Sequence, residues 1–578
     1  MNAWKKRLAL LLALLMAVLG TACGREAEDD GSRHTEMPYE SKLFDPGVVH
    51  TIDVSIAERD WADLIANPLE KTKYAADVTI DGETVERVSF ATKGNTSLSF
   101  VANDADSNRY SFKINFGKYV TGQTYYGLNK LNLNNLYADA TCMKDYFCYR
   151  IFRQAGVDAP LVSYVWLTIN GEDHGLYLAI EDLSESYLER TNGGEGVLYK
   201  PETAQLDVAD RADAPNGGAF EPPENAGQPP QGGMQPPNGA FPGQGNPSAG
   251  PGDGQTAFPQ GSPGAFPPQQ GDEDGMPQPG NGMPGGGQMP GGFGGSNANG
   301  ADLKYVDNDT ESYADIFDNA ETADTVADRA SVIEALKALA SGSDPETFLY
   351  CDEIVRYFAA HNFVLNYDSY TGTMLHNYYL YVRDGKLAML PWDYNLAFGA
   401  FGGGGRDGMT NDATALINTG VDTPLSGTTE ADRPMWSWIV SNAKYLDRYH
   451  EALDGLLETY FENGAFEKEI DAVYEMIRPY VEKDPSAFYS AEAFETGYRT
   501  LKETCLLRAK SIRAQLDGRL SSETDSQNAA DRIDASGIVI DDMGSQGGNG
   551  MPNGNPMPPE GNANGATPPT PESGSGGE

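Results

Sequence analysis

The chain has 578 residues, with 84 Asp and Glu against 41 Lys and Arg and a formal net charge of −43. That length holds one large domain or two lobes with extended tails, and that charge argues against nucleic acid as a partner.

Lys5, Lys6 and Arg7 precede an apolar run from Leu8 to Leu19, and Gly20-Thr21-Ala22 then leads to Cys23. This is the layout of a secretion signal, and it resembles a lipoprotein signal in which Cys23 becomes the lipidated N-terminus. Gly20 stands where that pattern usually has Leu, so a plain cleaved signal or an uncleaved anchor is the alternative. Residues 1–22 are expected to be the signal peptide. The polar stretch 23–45 is expected to be a tether holding the folded part at the extracellular face of the cell membrane.

From His50 to Phe116 the pattern is mostly strands: His50 to Ile56, Ala75 to Ile80, an Asp81-Gly82 turn, Val85 to Ala91, and Tyr110 to Phe116, with a short helix from Ala57 to Ala66. Gly94 and Asn95, in the turn Lys93-Gly94-Asn95-Thr96-Ser97, belong to a composition that lets backbone N–H groups approach an anion, and equally to an ordinary hairpin loop. Alternation puts Lys113 on the face opposite Phe112 and Ile114. Asp139 is expected to cap a helix running to about Gln154, on which Asp145 shares a face with Cys148, Tyr149 and Phe152. Two readings of Asp145 are open: an ion pair with Lys113, like the strand-lysine to helix-acid pair that positions nucleotide phosphates, or a solvated carboxylate near the helix start. Leu161 to Ile169, Asn170-Gly171 and Leu176 to Glu181 form a hairpin, leaving Glu181 and Asp182 at a nucleotide's edge or as plain strand-end charges.

Residues 211–301 turn to Gly, Pro, Gln and Asn, a composition that cannot bury enough apolar surface to order itself, and read as an insert. In Asp307-Asn308-Asp309 the remaining spacing of a calcium loop is missing, which favours a solvated loop over a cation site. Helices are expected at Ser331 to Leu339 and Thr347 to Leu365, and again between Met435 and Leu516 with breaks near Gly464 and Pro485. Cys142 and Cys148, about 240° apart round one predicted helix, cannot bridge each other there, and with Cys351 and Cys505 they read as buried free thiols.

The stretch from His361 to Phe401 organises the rest. Tyr378 to Val382 and Leu387 to Leu390 form a hairpin through Arg383-Asp384-Gly385-Lys386, so Asp368 and Asn377 enter it and Asp393 leaves it. An Asp, a later Asn, a short hairpin and a second Asp is the order protein kinases use, and oxygen side chains at a hairpin's base suit a hard cation. Asp and Asn also cap loops, which is the plain alternative.

Taken together, Lys93-Gly94-Asn95-Thr96-Ser97, Tyr110-Ser111-Phe112-Lys113, Gly127-Leu128-Asn129-Lys130-Leu131-Asn132-Leu133, Ile169-Asn170-Gly171, Leu198-Tyr199-Lys200-Pro201, Asn366-Tyr367-Asp368 and Pro391-Trp392-Asp393-Tyr394 resemble the spore-coat protein H (CotH) kinase-like family. The resemblance implies an α+β, atypical protein-kinase-like fold of two lobes: an antiparallel sheet plus helix in a small nucleotide-binding lobe (46–210), and a mainly helical catalytic lobe (302–520). It implies ATP with Mg2+ or Mn2+, and Ser or Thr of secreted or coat proteins as acceptors. Asp368 matches the catalytic aspartate and Asp393 the metal-binding one, with Asn377 a second metal position; Lys113, Asp145, Glu181, Gly94 and Asn95 are the candidates on the ATP side. Thr92 replaces an Arg common in the family, which bears on the phosphate role of Lys93. Residues 521–578 read as a disordered tail. A non-catalytic surface-binding protein on the same fold is the competing function.

Overall fold

The computed structural model describes residues 34–202, 299–401 and 412–545. Cys23, the apolar run before it and nearly all of the insert lie outside them. Among the described residues no helix is long and apolar enough to cross a membrane.

The architecture is mixed α and β. Seven strands, β1 (Val49–Ile56), β2 (Tyr74–Ile80), β3 (Glu83–Lys93), β4 (Ser111–Asn115), β5 (Lys130–Asn134), β6 (Val162–Ile169) and β7 (Glu172–Glu181), close into a barrel in the order β1-β2-β3-β4-β5-β7-β6. The sheet expected here is thus a closed barrel. Every neighbouring pair is antiparallel except β1 and β6, whose parallel pairing from Val49 opposite Tyr164 to Val54 opposite Ile169 seals the barrel. Alternation, broken by a bulge between Ala76 and Val78, puts Ile52, Val54, Val78, Ile80, Phe90, Phe112, Ile114, Leu131 and Leu133 into one apolar core, which an open sheet would leave half-exposed. Burying one such side chain contributes about 1.5–3 kcal/mol.

The same alternation turns Ser89, Ala91, Lys93, Lys113, Asn115, Asn132 and Asn134 to the opposite face, since Ala91 pairs with Lys113, Lys113 with Asn132 and Asn115 with Lys130. A second and larger core holds the helix Lys144–Gln154, the three-stranded sheet β10-β9-β8 and the C-terminal helices. In that sheet β8 is Val197–Tyr199, β9 Tyr378–Arg383 and β10 Lys386–Pro391. Beyond β8, Tyr199 bridges to Ala320; beyond β10, Leu387 bridges to Leu349.

Several expected boundaries move. The helix expected from Asp139 begins at Lys144, and Asp139 instead knits the preceding loop, accepting the N–H groups of Thr141 (3.1 Å) and Lys144 (2.9 Å). Cys142 thus lies outside the helix, although all four described cysteines are free thiols, buried or half-buried. Part of the tether is packed: Pro38–Leu43 is a helix with Tyr39 and Leu43 buried. The tail is ordered through Ser545, because Ile538, Ile540 and Met543 supply apolar groups that the low-complexity reading overlooked.

Candidate functional site

Asp368 and Asp393 come together through the backbone that precedes each. The helix Cys351–Val364 stops at Leu365, which takes a left-handed conformation (φ 53°) and turns the chain out of the helix. Asn366 then accepts the N–H of Asp368 (3.2 Å) and donates to the carbonyl of Asp393 (3.4 Å), joining the two loops. Below them His361, fully buried, reaches Thr371 with Nε2 (2.7 Å) and Tyr394 with Nδ1 (2.8 Å). Burial pushes its pKa down to about 3, so it links the loops as a neutral ring. Arg433 holds the far side, donating to the carbonyls of Tyr370 (2.6 Å) and Gly372 (2.5 Å).

Asp368 is gripped at both oxygens. His376 Nε2 lies 2.7 Å from Oδ1, and Asn377 Nδ2 donates to Oδ2 (3.1 Å) and to the Asp368 carbonyl (2.8 Å). Asn377 thus turns its amide nitrogen toward Asp368. Asn377 (φ 58°) and Asp393 (φ 56°) both occupy the left-handed region, a conformation that costs energy and is held only by its surroundings. No described residue hydrogen-bonds the Asp393 carboxylate, which is half-buried. Burial raises its pKa, Lys93 opposes that, and Asp368 adds to it.

The expected Lys113–Asp145 pair does not form; β3 supplies the lysine instead. Lys93, beneath the Trp392 ring, donates to Asn134 Oδ1 (2.8 Å), and Asn134 donates to Asp145 Oδ2 (3.1 Å). Asp145 Oδ1 accepts the N–H of Tyr394 (2.7 Å), so the helix carboxylate is tied to the residue after Asp393. Burial, then the charge of Asp393, pushes the Asp145 pKa up to about 7. Lys113 pairs with Asp182 at 3.0 Å, and Asn132 donates to the same carboxylate (2.8 Å). Burial works against the Asp182 carboxylate, but Lys113 and Lys130 outweigh it and hold its pKa at about 2.

Glu181 takes no part. It points into the fold, where Arg190 (2.6 Å), the Tyr39 hydroxyl (2.6 Å) and the N–H of Leu161 (3.1 Å) fill its carboxylate. Alternation along β7 puts Glu181 and Asp182 on opposite sides, and only Asp182 faces the site. Gly94 (φ 98°) and Asn95 turn the chain from β3 into the short helix Thr96–Ala102; Asn95 accepts Lys71 Nζ (2.8 Å), and neither residue lines the cleft.

That cleft encloses about 950 Å³ including its open mouth and lies against the polar outer face of the barrel. Lys71, Lys73, Lys113, Lys130 and Lys200 line it, with Asp182, Glu202, Asp318 and Glu321 interspersed and Tyr379 and Trp392 at one wall. The five lysines outnumber the four carboxylates of the cleft by one, and Lys113 and Lys200 are already paired with Asp182 and Glu202. The sequence reading missed His376, Lys130, Lys200 and Asn134. The run Lys130-Leu131-Asn132-Leu133-Asn134 carried the signal, since its alternation puts Lys130, Asn132 and Asn134 on one face.

A family model described as CotH kinase protein matches residues 90–231 and 291–512, more than half of the chain. The chain belongs to the CotH family. Two relatives in Bacillus subtilis (strain 168) are the inner spore coat protein H, 26% identical over 94 residues, and an inner spore coat protein H-like protein, 32% identical over 93 residues. Each alignment covers 16% of this chain and 25% and 29% of the respective relative, so the match spans about a quarter of their length. The CotH match contains Lys93, Lys113, Asp145, Asp368 and Asp393, and it ends before the ordered segment 520–545.

Asp307 and Asp309 accept the N–H groups two residues on, at 2.9 and 3.2 Å, the geometry of loop caps. Among the described residues no three His, Cys, Asp or Glu side chains are grouped to hold a metal by themselves.

Proposed function

We propose that this CotH-family chain is a secreted, lipid-anchored protein kinase that transfers the ATP γ-phosphate to Ser or Thr of extracytoplasmic or coat proteins. The observation that supports the reading is the grouping of Asp368, Asp393 and Lys93 behind Trp392, a wall of the lysine-rich cleft that none of the three lines itself, in a protein of net charge −43. In this reading the barrel and the larger helical core are the two lobes of a kinase-like fold, with the cleft between them.

The donor set suits a metal-bound nucleotide. Asp393 offers a hard oxygen ligand that accepts no hydrogen bond from the described residues, and the lysines offer ammonium groups for phosphate oxygens. Asp393 would hold the metal, and Asn377 would join it by turning its amide oxygen outward; Lys93, Lys113, Lys130 and Lys200 would face the phosphates. When bound, the metal–nucleotide supplies the phosphoryl group and offsets its charge. Asp368 orients the acceptor hydroxyl and receives its proton at Oδ2, the oxygen with the longer bond to Asn377, while His376 fixes the carboxylate through Oδ1. Positioning and charge neutralisation do nearly all the work.

Both relatives are named as coat proteins, which favours a non-catalytic structural role as the second reading. Transfer of radiolabel from γ-labelled ATP to culture-supernatant proteins, with and without Mg2+ or Mn2+, separates the two. Asp393→Ala should weaken metal-dependent ATP binding. Asp368→Ala should still bind ATP and lose transfer by about a hundredfold or more. A wild-type protein with no metal-dependent ATP binding by calorimetry would leave the structural role standing.

A further inference from the structure

The loop between β5 and the helix Lys144–Gln154 is unusually constrained. Leu136 (φ 62°), Ala138 (φ 57°) and Cys142 (φ 55°) all take the left-handed conformation within seven residues, and none is glycine. Such a path persists only where its surroundings dictate it. Part of that constraint is local, from the Asp139 carboxylate. The rest comes from the far end of the chain.

After the helix Ala491–Leu516 the chain crosses the end of the short helix Ala413–Ile417, capped by Asn418. The Asn418 amide donates to the Ile533 carbonyl (2.8 Å), and the Ile533 N–H returns the bond to Asn418 Oδ1 (3.0 Å). It then reaches the strained loop, where the Met543 carbonyl accepts the N–H of Ala140 (3.1 Å). The Gly544 carbonyl accepts Lys144 Nζ (2.8 Å), and the same ammonium donates to the Ala138 carbonyl (2.8 Å). Lys144 is fully buried and directly precedes Asp145. The fit is close: a Cβ on Gly544 (φ 79°) would stand 2.7 Å from the Ala140 nitrogen and 2.8 Å from the Ala138 oxygen. Met543 and Ser545 are wholly buried. The segment lies beyond the CotH match, which ends at residue 512.

We propose that residues 533–545 are an intramolecular clasp that holds the Asp145 helix in register with the Asp393 loop, so that docking of the C-terminal strap controls nucleotide affinity at the site. The affinity part rests on the kinase reading; the positional part does not. Lys144, Met543 and Gly544 are positioning residues, acting on the site through Asp145 and its bonds to Tyr394 and Asn134.

The test uses the full chain with Gly544→Val, which blocks seating of the strap, beside a chain stopped after Ser545 that keeps the strap whole. Hydrogen exchange over residues 136–154 and calorimetric Kd for Mg-ATP are measured on both and on wild type. The blocked variant should exchange at least tenfold faster over that stretch and bind Mg-ATP about tenfold more weakly, and the stopped chain should match wild type in both. Should Gly544→Val fail to fold, Lys144→Met carries the same expectation. Unchanged exchange overturns the clasp, and faster exchange with unchanged Kd overturns its control of the site. If wild type binds no Mg-ATP, the kinase reading falls, while the exchange result still decides whether the clasp positions the helix.

Discussion

Asp145→Asn is the most informative substitution for the electrostatics of the site. Asp145 is 3% exposed and its carboxyl is pushed up from 3.8 to about 7, by burial first and by Asp393 second. The folded protein therefore holds a proton there that the unfolded chain has released between about pH 4 and 7. Stability from this group is fully present below pH 4 and is lost as pH rises through 7. Over roughly three pH units at 1.36 kcal/mol each, the loss is about 4 kcal/mol at most, and because the charge of Asp393 ties the two titrations together, about 2–4 kcal/mol belongs to Asp145. Asn keeps an oxygen for the N–H of Tyr394 but cannot accept from Asn134, at a cost of about 1 kcal/mol. At pH 8 the variant should be about 1–3 kcal/mol more stable than wild type, and at pH 4 about 1 kcal/mol less. Urea unfolding at both pH values measures the difference directly. Parallel pH dependence in the two proteins would refute the buried-proton account.

Glu181→Ala should destabilise by about 3–5 kcal/mol, since it strands the buried Arg190 guanidinium; a melting shift without a specific loss of ATP affinity would mark Glu181 as structural. Gly175→Ala should be destabilising by 2 kcal/mol or more, because its Cβ would run into Asp484 and Arg109 at φ 103°; denaturant midpoints check this. The insert expected at 211–301 ends earlier, since Ala301 is buried and its carbonyl accepts the Tyr378 hydroxyl; replacing residues 211–298 with a short Gly/Ser linker should leave the melting temperature nearly unchanged. The nearest described residues on either side are both anchored on Asp315, Glu202 by its N–H to the Asp315 carbonyl (3.0 Å) and Asn299 by its N–H to the carboxylate (3.2 Å). Cys23→Ser should release the protein to the medium or leave it unprocessed, read by mass and by membrane fractionation.

What was legible in the sequence was whatever depends on local periodicity. The strands from β1 to β4, the hairpin β9–β10 and the two aspartates flanking it follow from alternation and turn residues, and they lie where expected. What depends on which strand neighbours which was not legible. The choice between Lys93 and Lys113 as partner of the Asp145 row turns on β3 lying beside β4 and β4 beside β5, so that Asn134 stands between Lys93 and Asp145. Barrel closure by the parallel β1–β6 pair is a contact across more than a hundred residues, which no window of sequence contains. The ordered tail escaped for the opposite reason: Ile540 and Met543 are too few to make a pattern, and they are buried because Gly497 and Gly544 leave room for close approach.

The barrel and its companion sheet bear on how copies of this protein can associate. In the barrel each strand has a hydrogen-bonded neighbour on both sides. The outer strands of the second sheet are covered as well, β8 by the Ala320 bridge and β10 by the Leu349 bridge. The described strands therefore leave little bare backbone edge for another chain to extend, the usual template for runaway aggregation, although on the outer side of β10 the backbone bonds are made at Leu387 alone. In a crowded layer, the described strands would then meet a neighbouring copy through their side chains rather than by adding a strand.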